Sequence, residues 1–154
     1  ALALSSQSKS ILELGTSAGY STIWLASAAI KNQGTVYTID NDQKKVALAR
    51  KHFEESRLGN IELIEGDFIV VLKKWDKEVD FLFIDGEKSK YLDYLKLVEP
   101  FLQKGAIIVA DNIVSIGKGT INVEKKTASY RKYVEEKYKS ILIEIGDGMM
   151  ISKK

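Results

Sequence analysis

"ILELGTSAGYS", residues 11–21, is the stretch that decides how this chain folds. Ile11-Leu12-Glu13-Leu14 reads as a short strand, and Tyr20 to Ile30, rich in Ala, Leu, Ile and Trp, reads as a helix. Between them, Gly15 and Gly19 let the backbone turn sharply and approach a ligand closely, with the free N–H groups of a helix N-terminus behind. Strand, glycine turn and helix in this order open a nucleotide-binding βα unit. The turn is not a GxxxxGK[ST] phosphate cradle, since no Lys follows Gly19, and it is not GxGxxG, since position 17 is Ser. A glycine turn without a ligand is the plainer alternative.

The same alternation continues along the chain. Thr35 to Ile39, Ile61 to Ile64, Val79 to Ile84 and Ala106 to Ala110 read as strands. Helices are expected after each: one capped by Asp42 and closed by Gly59, a short one over 68–74, one over 88–102 with Pro100 in or past its last turn, and one over 124–138. "ILIEIGDGMMIS" reads as a hairpin turning at Asp147-Gly148. The expected architecture is α/β: a doubly wound, mostly parallel sheet with helices on both faces and an antiparallel C-terminal hairpin strand. No repeat, linker or low-complexity tract divides it, so residues 1–154 read as one domain.

Four successive strands end on or just before an aspartate: Asp40, Asp67, Asp85 and Asp111. In an open α/β sheet, ligands bind beyond the carboxyl ends of the strands. Asp40 is placed to accept from the two hydroxyls of a ribose, although capping the next helix is its bland alternative. If the fourth and fifth strands are neighbours, their ends lie about 4.8 Å apart. Asp85, Asp111 and Asn112 then point at one ion, and an all-oxygen set suits Mg²⁺, Ca²⁺ or Mn²⁺ rather than zinc. Lys88, one turn into the next helix, reaches the same place.

Bulk composition sets the limits. The chain has 154 residues, 45% hydrophobic and 29% charged, with a net charge of +2, which neither demands nor excludes nucleic acid. Without cysteine, disulfides, zinc–thiolate sites and cysteine nucleophiles drop out, and a cytoplasmic location is expected. No apolar run approaches the roughly 18 residues of a membrane span. His52 reads as exposed and idle, Trp24 as core, Tyr130, Tyr133 and Tyr138 as helix packing, and the lysines at 44, 51, 73, 125 and 153 as solvated faces.

"LELGTSAGYST", "YTIDND", "FIDGEKSKY", "VADN" and "IGDG", in that order, resemble the cation-dependent O-methyltransferases related to catechol and caffeoyl-coenzyme A O-methyltransferases. The resemblance runs from Ile11 to the C-terminus and implies a Rossmann-like class I methyltransferase domain using S-adenosylmethionine. It implies that Glu13, Gly15, Thr16, Ser17, Gly19 and Ser21 hold the methionine part and frame the cofactor pocket. Asp40 would take the ribose hydroxyls, with Asp67 and Phe68 beside the adenine. Asp85, Asp111 and Asn112 match the metal ligands, with Mg²⁺ the expected ion, and Lys88 matches the general base. The acceptor implied is a small hydroxylated aromatic, and a homodimer is implied with it.

Two departures accompany the likeness. The family pattern more often reads Asp-Ala-Asp-Lys where this chain has Asp85-Gly86-Glu87-Lys88. Relatives also carry helices ahead of the glycine turn that close over cofactor and substrate; here about ten residues precede it, and the sequence leaves open whether those helices lie upstream or are absent. Three alternatives stand beside the main reading: a tRNA hydroxyuridine methyltransferase of the same fold, a nicotinamide-dependent oxidoreductase, and a non-catalytic cofactor-binding module.

Overall fold

Five of the apolar runs become parallel strands in the computed structural model, which describes residues 1–114 and 121–154: β1 (Ser10–Leu14), β2 (Thr35–Asp40), β3 (Ile61–Glu65), β4 (Val79–Ile84) and β5 (Leu102–Asp111). A one-turn helix α1 (Leu2–Ser5) precedes β1, and α2 (Tyr20–Ala29), α3 (Gln43–Ser56), α4 (Phe68–Leu72) and α5 (Tyr91–Val98) connect the strands. After β5, α6 (Ile121–Lys137) leads into the hairpin of β6 (Lys139–Ile143) and β7 (Met149–Lys153). The sheet order is β3-β2-β1-β4-β5-β7-β6, with β7 antiparallel to both its neighbours. Among the described residues no helix is long and apolar enough to cross a membrane.

Strand alternation divides the core between two faces. Leu12, Leu14, Leu82, Ile84 and Ile108 meet Tyr91, Leu95 and Tyr130 on one face. Ile11, Phe81 and Val109 meet Ala26 and Ala29 of α2 on the other. Tyr130 is fully buried, while Tyr133 and Tyr138 pack against that first cluster and both donate to Glu99.

Several boundaries differ from the sequence expectation for local reasons. The Asp42 side chain caps α3 by accepting from the Lys44 and Lys45 N–H groups, as expected. The helix closes on Arg57 at φ 57, two residues before Gly59. The helix expected over 88–102 is α5 flanked by two 3-10 turns, the second containing Pro100. β5 starts at Leu102, and its register against β4 shifts between the Val79–Leu102 and Phe81–Ile107 pairs, so residues 103–105 bulge around Gly105. Trp24 is 65% exposed rather than core, because Thr22, Ala26 and Ala29 take the buried side of a helix that is apolar all round. Trp75 is buried and donates Nε1–H to the Lys77 carbonyl.

The turn after β1 is held from two directions. Gly15 has φ +110, and a Cβ there would lie 2.2 Å from the Asp85 carbonyl oxygen. Beneath the turn, the fully buried Glu13 carboxylate accepts from Ser21 Oγ at 2.6 Å, from Thr38 Oγ1 at 2.6 Å and from Thr22 Oγ1. The Thr38 hydroxyl is also 2.7 Å from that of Thr16, extending the network into the turn. Burial raises the Glu13 pKa, and the three hydroxyl donors oppose that rise.

Gly15→Ala is expected to destabilise the fold by about 2–3 kcal/mol in urea unfolding, because both φ and space are forbidden to a side chain. Glu13→Ala should cost about 2–4 kcal/mol by leaving buried hydroxyls without an acceptor, and Glu13→Gln roughly half of that. A wild-type urea midpoint for either alanine variant would contradict this account.

Candidate functional site

The strand order reverses direction at β1 and β4, and a crevice opens there beyond the carboxyl ends. Leu14 pairs with both Ile39 and Ile84, and Ile84 pairs with Ala110. This register delivers the next residue of each strand, Gly15, Asp40, Asp85 and Asp111, to one edge. Asp67 reaches the same edge two residues past β3, where its side chain caps α4 through the Val70 N–H.

A cleft of about 500 Å³ lies along this edge, lined by Gly15, Ser17, Asp40, Asp67, Phe68 and Asp85 among others. Asp40 Oδ2 accepts from the Ser17 N–H at 2.8 Å and Oδ1 from the Asp42 N–H at 3.0 Å. Each oxygen retains a lone pair, so the carboxylate can still accept from two hydroxyls. Phe68 stands edge-on to Tyr94 with ring centroids 5.4 Å apart, giving the far wall an aromatic surface. The volume, the acid and the aromatic wall fit a nucleoside.

Not every expected residue faces this space. Glu13 and Thr16 are buried beneath the turn, Gly19 packs against Phe53, and Ser21 is engaged with Glu13. Their part is to shape the turn. Lys45, Lys90 and Tyr94 line the cleft without having been singled out by sequence. Lys90 and Tyr94 follow Asp85 by five and nine residues, a placement readable only once Asp85 is fixed at the edge. His52, expected exposed and idle, is half-buried with Nδ1 2.8 Å from the Ala18 carbonyl oxygen. The lysines at 44, 51, 73, 125 and 153 are exposed as expected.

At the far end of the crevice, Lys88 Nζ donates to Asp85 Oδ1 at 3.0 Å, Asn112 Oδ1 at 3.1 Å and Tyr91 Oη at 2.6 Å. All three N–H donors of the ammonium are used. Tyr91 in turn donates to the Asp111 carbonyl at 2.9 Å, and the Asn112 N–H, on a residue with φ 55, donates to Asp111 Oδ1 at 2.9 Å. Burial raises the Asp111 pKa, and the charge of Asp85 adds to it, against the Asn112 N–H and the Lys88 charge. Burial, then the charges of Asp85 and Asp111, hold the Tyr91 phenol far above its ordinary range, so it stays protonated.

Oxygens of Asp85 and Asn112 thus already meet around one positive charge, with the Asp111 carboxylate adjoining. Among the described residues no group of three or more His, Cys, Asp or Glu is gathered for a metal ion. Two carboxylates and an amide are hard oxygen ligands and fit a divalent cation such as Mg²⁺.

Known proteins agree with this architecture. A family model described as a methyltransferase domain matches residues 12–113. Catechol O-methyltransferase of Niastella koreensis is 39% identical over 117 residues, which is 73% of this chain and 52% of that protein. The catechol O-methyltransferase of Mycobacterium tuberculosis is 32% identical over 113 residues, 72% of this chain and 51% of that one. An O-methyltransferase from Bacillus cereus, solved in complex with SAH, superposes with a TM-score of 0.86 at 24% identity, covering 99% of this chain and 76% of its own. The chain spans about half the length of the two catechol O-methyltransferases it matches. The chain belongs to the methyltransferase domain family, among relatives named as O-methyltransferases.

Proposed function

We propose that the protein is an S-adenosylmethionine-dependent O-methyltransferase acting on a cation-held hydroxyl of a small, catechol-like aromatic. The observation that carries this reading is the meeting of Asp85 Oδ1 and Asn112 Oδ1 on one positive charge at the end of a nucleoside-sized cleft. The relatives named as catechol O-methyltransferases support the acceptor class. Family membership sets aside the nicotinamide oxidoreductase alternative.

When bound, the cofactor supplies an electrophilic sulfonium methyl, and a divalent ion held by Asp85, Asp111 and Asn112 supplies charge that eases ionisation of a hydroxyl. The chain's own residues do the remaining work. Asp40, already oriented by two N–H groups, accepts the ribose hydroxyls, and Phe68 and Tyr94 flank the base. Gly15 and Ser17 bring the backbone of the turn to the cleft, aligning the two reactants. Lys88 Nζ, held beside the same oxygens, is the group assigned to take the proton of the acceptor hydroxyl. Tyr91 stays protonated and orients Lys88 through its phenol oxygen.

Asp111→Ala, or excess EDTA on the wild type, should lower catechol methylation by at least about a hundredfold, while S-adenosylhomocysteine binding by calorimetry changes less than about threefold. Full turnover in EDTA would remove the cation from the reading. Methyl incorporation into bulk tRNA but not into catechols would transfer the activity to an RNA acceptor. Cofactor binding with no turnover on either would leave a binding module.

A further inference from the structure

His52 lies outside the cleft, yet it grips the turn that forms one wall of it. Its Nδ1 is 2.8 Å from the Ala18 carbonyl oxygen, and because a carbonyl only accepts, Nδ1 carries the proton. The next residue, Phe53, packs on the same turn so closely that a Cβ on Gly19 would lie 2.4 Å from its ring. At the other end of α3, the Asp42 N–H donates to Asp40 Oδ1. One helix therefore touches both the turn and the carboxylate assigned to the ribose.

The turn needs such support. Gly15, Ser17 and Gly19 all have positive φ, at 110, 48 and 83, and Ser17 adopts the left-handed region without a glycine's freedom. The strained Ser17 peptide is the one whose N–H is anchored to Asp40 Oδ2, at 2.8 Å. Glu13 holds the turn from below through Thr16 and Ser21. Ala18, between the strained Ser17 and the glycine, is held through its carbonyl by His52.

We propose that His52 is a positioning residue for nucleoside binding: its Nδ1–H fixes the Ala18 carbonyl, and with it the orientation of the Ser17 N–H toward Asp40. This rests on the reading of the cleft as the S-adenosyl site. The side chain is not needed to fill the core, since it borders an open groove of about 520 Å³ with Tyr20, Ile23 and Glu55, so a substituted side chain meets no steric barrier.

Asparagine carries an N–H donor at the same distance from the backbone as Nδ1, whereas leucine places a methyl group there. Titrating S-adenosylhomocysteine into wild type, His52→Asn and His52→Leu, with a urea unfolding curve for each, separates positioning from general stability. His52→Leu should bind about tenfold more weakly, and His52→Asn within about threefold of wild type, with similar urea midpoints for the two variants. Equal affinity for His52→Leu and wild type, or equal weakening in both variants, overturns the role of His52 while leaving the cofactor reading intact. A wild type that binds no S-adenosylhomocysteine overturns the cofactor reading itself and the positioning role with it.

Discussion

The whole site depends on one close passage of backbone over backbone. Gly15 crosses the end of β4 with no room for a Cβ above the Asp85 carbonyl, and the Asp85 N–H donates to the Leu14 carbonyl at 2.8 Å. The Gly15 N–H donates in turn to Ile39 at 3.0 Å. Those two bonds tie the ends of β2, β1 and β4 together. The parallel register then puts the residue after each strand on one rim, so the spacing between the cleft acid Asp40 and the acids around Lys88 is set by the sheet. A side chain at position 15 would separate the turn from β4 and open the crevice at its narrowest point.

Gathering acids on one rim is costly unless each finds a donor. Each does, mostly from its own neighbourhood. Asp40 uses the Ser17 and Asp42 N–H groups, Asp67 the first turn of α4, Asp111 the Asn112 N–H, and Asp85 the Lys88 ammonium. Each acid has a donor, yet burial, and after it the neighbouring Asp85 charge, still keeps the Asp111 pKa raised. Lys88 brings a single positive charge to a place where two carboxylates adjoin. That excess of negative charge is the electrostatic ground for the divalent ion proposed above.

Sequence made the sheet and its acidic rim legible because both follow from local pattern. Apolar runs of four to six residues between helical stripes mark strands, and a carboxylate at or just past the end of four of them marks the rim. Packing direction was less legible. Trp24 sits in a helix with apolar residues on every side, so only tertiary contacts reveal that Thr22, Ala26 and Ala29 face inward. His52 lies in a charged stretch, and its bond to Ala18, 34 residues earlier, has no sequence signal. The early start of β5 was hidden because Gln103, Lys104 and Gly105 form a bulge, polar and glycine-containing, that interrupts the apolar run. The resemblance implied that Glu13 helps hold the methionine part and frame the cofactor pocket; the alternation of β1 places its side chain on the α2 side, buried beneath the turn.

The departures from the family pattern at 86 and 87 have a physical reading in this frame. A Cβ on Gly86 would lie 2.7 Å from the Phe68 ring and 3.2 Å from that of Tyr94. Glycine therefore lets the edge-on aromatic pair stand close against the end of β4, whereas alanine fits only if the Phe68 ring moves outward. Glu87 turns along the 3-10 turn to meet Lys90 Nζ at 3.0 Å and Ser89 Oγ at 2.8 Å, away from Lys88. Both changes fall on the wall of the cleft and neither disturbs Asp85, Asp111 or Asn112. Gly86 thus shapes the cleft wall beside Asp85 without carrying charge, so the space at that point can be remodelled while the charge balance around Lys88 stays fixed.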